Sequence, residues 1–352
     1  MQQKEDAIMR TLEGKRVYIS EPFPQAYKAA ERLTELGCQV DFGAPIMDRH
    51  HKKNIEEMKE IVRDYDGFIG MSREKFPREV LEQASRLCVI TKYGIGVDHI
   101  DLEAASENGV LVSVSPVNRI PVAEHTITLM LALLKQLRYS QKFLNQDNWR
   151  CMEAADYELF GKVIGFVGLG GITREVIKRL NGWGCRFIGY DPYVNAEDAE
   201  KIDVTMVDWD TLFSTADIVS LHLPLTEETR ECVGAKEFSM MKESAIFINT
   251  ARGKLVNWSE LIDAVKKKKI AGLGTDVAEQ EEPIPTDAPI MEIANDENVI
   301  VTPHSAGWTF EAHQRETDLT IDNMILALEG KEPSFVVNKA AIERWGKKIN
   351  RQ

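Results

Sequence analysis

The 352-residue sequence predicts an α/β protein made of two doubly wound parallel-sheet domains. Three observations carry this reading. Short apolar, β-branched runs alternate with helical patterns almost throughout. One long helical stretch divides the runs into two series. In the second series a strand passes through a glycine turn directly into an amphipathic helix. Strand, helix, strand in repetition implies parallel sheets covered on both faces.

The first series comprises Val17–Ser20, Gln39–Phe42, Gly67–Met71, Leu87–Lys92 and Val110–Val114. The second comprises Val163–Val167, Arg186–Tyr190, Ile218–Leu223, Ala245–Asn249, Gly272–Asp276 and Val299–Thr302. The separator runs from Pro121 to Asn145, where Val122, Thr126, Leu129, Leu133, Leu137 and Leu144 recur at helical spacing. Pro121 suits the first turn of such a helix. Gln146 to Leu159 reads as a loop crossing a surface, and Phe310–Leu328 as a helix returning the chain to its first domain. The expected domains are therefore 1–120 with 308–352, and 121–307.

The composition narrows the function classes. A formal charge of −13 argues against nucleic acid as a partner, because such binding depends on Lys and Arg neutralising phosphates. Lys266 to Lys269 is a dense basic run, but it sits near an expected helix C-terminus, where it complements the dipole and faces solvent. No run of about 18 apolar residues suggests a membrane span. The N-terminus has no apolar core of a signal peptide. Cys38, Cys88, Cys151, Cys185 and Cys232 are unclustered, which suggests free thiols in a reducing, cytoplasmic setting and no zinc site.

The glycine turn is Gly168-Leu-Gly170-Gly171-Ile172-Thr173. Gly168 permits the tight bend, and Gly170 lets backbone approach a pyrophosphate at the N-terminus of the helix that Gly171 and Ile172 open. About 20 residues further on, the next strand ends at Asp191. A carboxylate there can hydrogen-bond both ribose hydroxyls and repel a 2′-phosphate, which predicts NAD over NADP. Thr173 occupies the third glycine position and is expected to loosen or shift the local packing. Gly94-Ile-Gly96 is followed by no helix pattern and is rejected as a second dinucleotide turn.

Three polar residues end strands of the second series: Arg252 after Ala245–Asn249, Glu281 after Gly272–Asp276, and His304 after Val299–Thr302. The C-terminal edge of an open parallel sheet is where ligands bind. Arg offers a planar fork for a carboxylate. His exchanges protons near neutral pH, and a neighbouring carboxylate would hold its charged form.

With these motifs in order, the sequence resembles the D-isomer-specific 2-hydroxyacid dehydrogenases, the family of phosphoglycerate dehydrogenase, D-lactate dehydrogenase and glyoxylate/hydroxypyruvate reductases. The resemblance rests on Lys92-Tyr-Gly94-Ile-Gly96-Val-Asp98-His-Ile-Asp101, Pro121-Val-Ala-Glu124-His125 and Gly168-Leu-Gly170. It continues through His222-Leu-Pro224-Leu-Thr226, Asn249-Thr-Ala-Arg252-Gly253, Gly274-Thr-Asp276-Val and Thr302-Pro-His304. It implies a flavodoxin-like substrate domain with an inserted Rossmann NAD-binding domain. It further implies that Arg252 binds the substrate carboxylate, that His304 is the acid/base at the carbonyl or hydroxyl oxygen, and that Glu281 orients His304. Asp276 would hydrogen-bond the nicotinamide amide. His222, Pro224, Thr226, Thr250 and Ala251 would line the cofactor together with Arg252 and His304. Backbone amides of Tyr93, Gly94 and Ile95 would hold the substrate from the opposite domain.

Departures from the family pattern stand out. The catalytic Glu usually precedes a Pro directly, and in Glu281-Glu282-Pro283 that rule selects Glu282, whereas counting from Arg252 and Asp276 selects Glu281, the favoured of the two. The loop before the long helix reads Ser115-Pro116-Val-Asn118. His99 stands where Asn is frequent and reads as structural. His50, His51, His125 and His313 show no pairing that builds a site. Trp308 and Tyr93 either shape the substrate pocket or pack, and Trp149 is placed to reach a neighbouring subunit. The family implies a homodimer and a small 2-oxo or 2-hydroxy acid substrate, whose identity the sequence leaves open. Two alternatives are a formate- or phosphite-type dehydrogenase and an NAD-binding corepressor-like interaction protein. Formate enzymes carry Gln where Glu281 stands, and turnover of NADH separates an enzyme from an interaction protein.

Overall fold

Two parallel sheets organise the protein, whose structure is a computed structural model describing residues 11–48, 51–144, 156–281 and 284–351. By contact density the chain divides into one unit of residues 1–118 with 309–352 and another of residues 119–308. Trp149, Cys151, His50 and Glu282, all named above, lie outside the described residues, as does most of the expected loop 146–159.

In the first unit β1 (Arg16–Ile19), β2 (Gln39–Phe42), β3 (Gly67–Gly70), β4 (Val89–Lys92) and β5 (Leu111–Ser113) form one parallel sheet in the order β2-β1-β3-β4-β5. That is the flavodoxin-like order. The apolar runs are continuous because alternate residues face opposite helical layers. Val17, Ile19, Ile69, Val89 and Leu111 pack with Leu33, Ile321 and Met324. Their neighbours Tyr18, Phe68, Ile90 and Val112 pack with Met58, Val62, Leu81 and Ala104 on the other side.

The returning segment completes this sheet. Val336 forms an antiparallel bridge to Ser113. Asn338 accepts the Val112 N–H at 2.8 Å and donates to the Val110 carbonyl at 2.9 Å. Lys348 Nζ donates to the carbonyls of Leu87 at 2.7 Å and Asn108 at 3.1 Å, tying the last helix (Ile342–Ile349) to the segments that lead into β4 and β5.

The second unit carries β6 (Val163–Val167), β7 (Arg186–Tyr190), β8 (Val204–Met206), β9 (Ile218–Leu221), β10 (Ile246–Asn249), β11 (Gly272–Thr275) and β12 (Val299–Val301). Their order is β12-β11-β10-β9-β6-β7-β8, all parallel. The winding reverses between β6 and β9, and ligands bind outside the strand ends at such a reversal. All eleven expected strands are present. The twelfth, β8, is a three-residue edge strand too short to announce itself by pattern.

The expected separator helix is two helices, Arg119–Leu134 and Leu137–Leu144. Gln136 between them adopts a left-handed φ of +43°, which an uninterrupted helix does not contain. The first helix buries Val122, Thr126, Leu129 and Leu133, whereas the second buries nothing, so no packing holds a common axis. Among the described residues no helix is long and apolar enough to cross a membrane.

Candidate active site

The glycine turn follows β6 and opens the helix Gly171–Leu180. Gly168 has φ +98°, and a β-carbon there would lie 2.6 Å from the His222 carbonyl oxygen, so only glycine lets β6 and β9 approach at the reversal. A β-carbon on Gly170 would meet nothing within 4 Å, which leaves the helix N-terminus open for a pyrophosphate. Thr173 does not loosen this turn. Its side chain is fully buried, and its hydroxyl donates to the Gly168 carbonyl at 2.7 Å, so a hydrogen bond replaces the close contact expected of glycine. Asp191, just past β7, accepts the Leu169 N–H at 2.9 Å on one oxygen and the Tyr193 N–H at 2.9 Å on the other. The carboxylate is thereby fixed beside the turn, and the residues fit a dinucleotide.

His222 ends β9 as a neutral imidazole, because burial pushes its pKa down to about 3. Its Nε2 pairs with the Ser220 hydroxyl at 2.9 Å. The loop beyond is tied together by Thr229, whose hydroxyl donates to the Pro224 carbonyl at 2.7 Å and accepts the Thr226 N–H at 2.7 Å. Thr250 is buried, its hydroxyl 2.9 Å from that of Thr126.

Arg252, Glu281 and His304 converge at the ends of β10, β11 and β12. Asn249 shapes the first turn by accepting the Ala251 N–H at 3.0 Å and donating to the Arg252 carbonyl at 2.9 Å. Glu281 takes the Ala278 N–H at 3.2 Å on one oxygen and faces His304 Nδ1 at 2.5 Å with the other. Burial alone would lower the His304 pKa, but the Glu281 hydrogen bond and charge outweigh burial and hold it above its ordinary value. Burial acts on Glu281 in the opposite sense and is likewise outweighed, so its pKa is lowered. The Arg252 guanidinium is near enough to act on both, disfavouring the His304 cation and favouring the Glu281 anion. Both shifts favour the imidazolium–carboxylate form of the pair.

Asp276 is almost fully buried and accepts three hydrogen bonds: Thr302 Oγ1 at 2.5 Å and Ser305 N–H at 2.9 Å on Oδ1, Ala306 N–H at 2.8 Å on Oδ2. A carboxylate has about four acceptor positions, so one remains on Oδ2 for a ligand N–H. His304 itself has φ +51°, an uncommon conformation for a residue with a side chain. His125, which the sequence left without a partner, places Nε2 2.9 Å from Thr302 Oγ1. These two residues are 177 positions apart, a separation no local pattern bridges.

Tyr93, Gly94 and Ile95 belong to the first unit, immediately after β4. Tyr93 N–H donates to Gly70 O at 3.1 Å, and Gly94, with φ +74°, accepts the Ser115 N–H at 2.9 Å. The Gly94 N–H is held by the carboxylate of Glu316, whose burial raises its pKa to about 7. Ile95 is exposed, whereas the Tyr93 ring is buried edge-on against Phe23 at 4.8 Å. Of the two roles open to Tyr93, its side chain takes packing.

Residues 127–306 match the model of the D-isomer specific 2-hydroxyacid dehydrogenase, NAD binding domain. The chain is 32% identical over 335 residues to a glyoxylate reductase of Korarchaeum cryptofilum, covering 93% of this chain and 97% of that one. This chain belongs to that family. It is also 38% identical over 296 residues to a D-3-phosphoglycerate dehydrogenase of Methanocaldococcus jannaschii, covering 83% of this chain but 56% of the other's length. Among solved structures, a D-lactate dehydrogenase of Aquifex aeolicus complexed with NAD and lactic acid superimposes with a TM-score of 0.81 at 28% identity, covering 92% of this chain and 99% of that chain. The family is one of NAD-dependent oxidoreductases acting on D-2-hydroxy and 2-oxo acids, and the cofactor of residues 127–306 is NAD.

Proposed function

We propose that this protein interconverts a small D-2-hydroxy acid and its 2-oxo acid. The observation that carries the reading is the 2.5 Å contact of His304 Nδ1 with Glu281 in the electrostatic range of Arg252. When bound, the nicotinamide supplies or accepts the hydride at C2 of the acid. Arg252 grips the substrate carboxylate through its planar fork and draws charge toward the carbonyl oxygen. His304 gives its Nε2 proton to that oxygen during reduction and takes it from the hydroxyl during oxidation. Glu281 holds the ring so that Nε2 faces outward, and keeps it charged until the proton leaves. The Tyr93 and Gly94 N–H groups expected to hold the substrate are instead taken by the Gly70 carbonyl and the Glu316 carboxylate. Asp276 offers its remaining acceptor position to the carboxamide, and Asp191 binds the ribose hydroxyls. Gly168, Gly170, Gly171 and Ile172 receive the pyrophosphate; His222, Pro224, Thr226, Thr250 and Ala251 line the rest.

The similarity to glyoxylate reductases over 93% of this chain supports a compact 2-oxo acid as substrate. The exposed Leu137 and Leu144, on a helix with no buried residue, suit a homodimer contact. A screen of NADH oxidation with glyoxylate, pyruvate, hydroxypyruvate and 3-phosphohydroxypyruvate tests the reading. Turnover with at least one acid is expected, strongest for the unphosphorylated ones. NADH binding without turnover of any acid would replace the enzyme with an NAD-dependent interaction protein.

A further inference from the structure

Hydrogen-bond accounting at Thr302 leads away from the reacting groups to a residue that touches neither substrate nor cofactor in the reading above. The hydroxyl of Thr302 has one proton, and it goes to Asp276 Oδ1 at 2.5 Å. A second partner of that oxygen must therefore be a donor. His125 Nε2, at 2.9 Å, is that second partner, so it carries the ring proton. The same Nε2 lies 3.8 Å from Asp276 Oδ1, which adds an attraction whenever the ring is charged.

Asp276 passes this constraint on. Its two oxygens take the N–H groups of Ser305 and Ala306, the two residues that follow His304, while its own carbonyl accepts the His304 N–H at 2.9 Å. His304 is thus bracketed on both sides by one aspartate, at a backbone φ of +51° that is uncommon for a residue with a β-carbon. We propose that His125 is a positioning residue: by donating to Thr302 it locks the Asp276 carboxylate, and that carboxylate holds the 304–306 backbone so that the His304 ring meets Glu281. The groups acting on His304 are Glu281, Arg252 and Asp276. Of these only Asp276 is in turn held by His125. The chain of donors runs from the helix Arg119–Leu134 past the end of β12 to the end of β11, tying that helix to two strands already paired with each other.

This inference rests on His304 being the acid/base group, so the test needs one readout that depends on activity and one that does not. The first is the pH profile of NADH-dependent 2-oxo acid reduction for Thr302→Val, Thr302→Ser, His125→Leu and His125→Gln. Val and Leu break the chain; Ser and Gln keep a hydroxyl and an N–H donor. We expect the breaking pair to lower kcat about 10-fold or more, with KM for the acid changed much less, because Arg252 is untouched. We also expect the loss of rate on the alkaline side to begin at lower pH, since a displaced ring meets Glu281 less well. The conserving pair should recover both. Equal profiles in all four variants and the parent would overturn the proposal, as would equal losses in Thr302→Ser and Thr302→Val, which indicate shape alone. The second readout is ring-nitrogen NMR of the NAD-bound protein. It should find His125 protonated at Nε2, with a signal that moves in Thr302→Val. A His125 proton on Nδ1 only would overturn the proposal even in a protein that reduces 2-oxo acids. A parent protein that reduces none of the acids refutes the enzymatic reading instead, and the ring tautomer then decides the chain of donors by itself.

Discussion

A β-carbon on Gly253 would lie 1.7 Å from the carbonyl oxygen of Ala278. The turn carrying Arg252 and the loop carrying Glu281 are in backbone contact at that point. Gly253→Ala must therefore push the two loops apart. Misplacing a substrate-orienting group by about 1 Å costs on the order of 100-fold in rate. We expect a loss of that size in kcat/KM, with NADH affinity changed much less. Steady-state kinetics beside NADH fluorescence titration checks this, and unchanged kcat/KM would show that the contact relaxes harmlessly.

The His304–Glu281 pair predicts a pH dependence. On the proposed mechanism the imidazolium is the proton donor in reduction, so the rate should fall as pH rises through the His304 pKa, which Glu281 holds above its ordinary value. Glu281→Gln removes the charge but keeps a hydrogen-bonding group, and should move this fall to lower pH. His304→Ala should lower kcat about 100-fold or more on the acidic side of that pKa. For stability the sign is the same: a raised histidine pKa favours the fold at low pH, and the contribution disappears as pH rises through the folded value. His304 is half exposed, so screening keeps that contribution small. A Glu281→Gln profile identical to the parent's would remove Glu281 from the mechanism.

Glu316 makes the opposite use of burial. Its pKa rises from 4.5 to about 7 because water is excluded, despite the Gly94 N–H and the charges of Lys92 and Arg315. Below about pH 4.5 folded and unfolded chains both hold the proton; above it only the folded chain keeps it, until about pH 7. Each step upward in that window therefore removes stability. Glu316→Gln keeps an acceptor for Gly94 and cannot ionise. Its melting temperature should exceed the parent's by more at about pH 8 than at about pH 5. An advantage that does not grow with pH would place the titration elsewhere.

Thr173 and Gly168 give a test of the cofactor turn. Thr173→Val preserves shape but leaves the buried Gly168 carbonyl without its 2.7 Å donor. The loss should be about 1–3 kcal/mol of stability, together with weaker NADH binding. Denaturant unfolding and a binding isotherm measure the two. Full retention of both would mean that the turn holds its form unaided.

Asp191→Ala should relax discrimination against NADP, because the repulsion of a 2′-phosphate goes with the carboxylate. It should also cost more than selectivity. Leu169 N–H loses its acceptor, so affinity for NAD falls too. The ratio of kcat/KM for NADH and NADPH measures the first effect, and an unaltered ratio would rule out the ribose role.

Much of this was legible in the chain because parallel strands buried on both faces leave a continuous apolar signature. Val163–Val167 and Arg186–Tyr190 could be bounded to the residue for that reason. Gly168, Gly170 and Asp191 were legible because their spacing reflects one strand-turn-helix-strand unit. Three features were not. Val204–Met206 pairs on one side only and has too few residues to show a period. The break at Gln136 depends on burial that stops after Leu134, while the apolar spacing continues through Leu137 and Leu144. The partnership of His125 with Thr302 exists only once the sheet has brought helix and strand together. Thr173 could be seen to depart from glycine, but not that its hydroxyl would turn inward to Gly168.

The last 44 residues complete a sheet whose strands all lie within the first 118. During synthesis the 119–308 unit emerges as one uninterrupted stretch and can close on itself. The N-terminal strands must wait for Val336 and Asn338 to arrive beside β5, and for Lys348 to reach the carbonyls of Leu87 and Asn108. The strands within residues 1–118 therefore leave the ribosome before the 119–308 unit yet finish folding after it. In the interval the partly assembled sheet exposes apolar surface and unpaired strand edges, the features that make folding intermediates prone to aggregate.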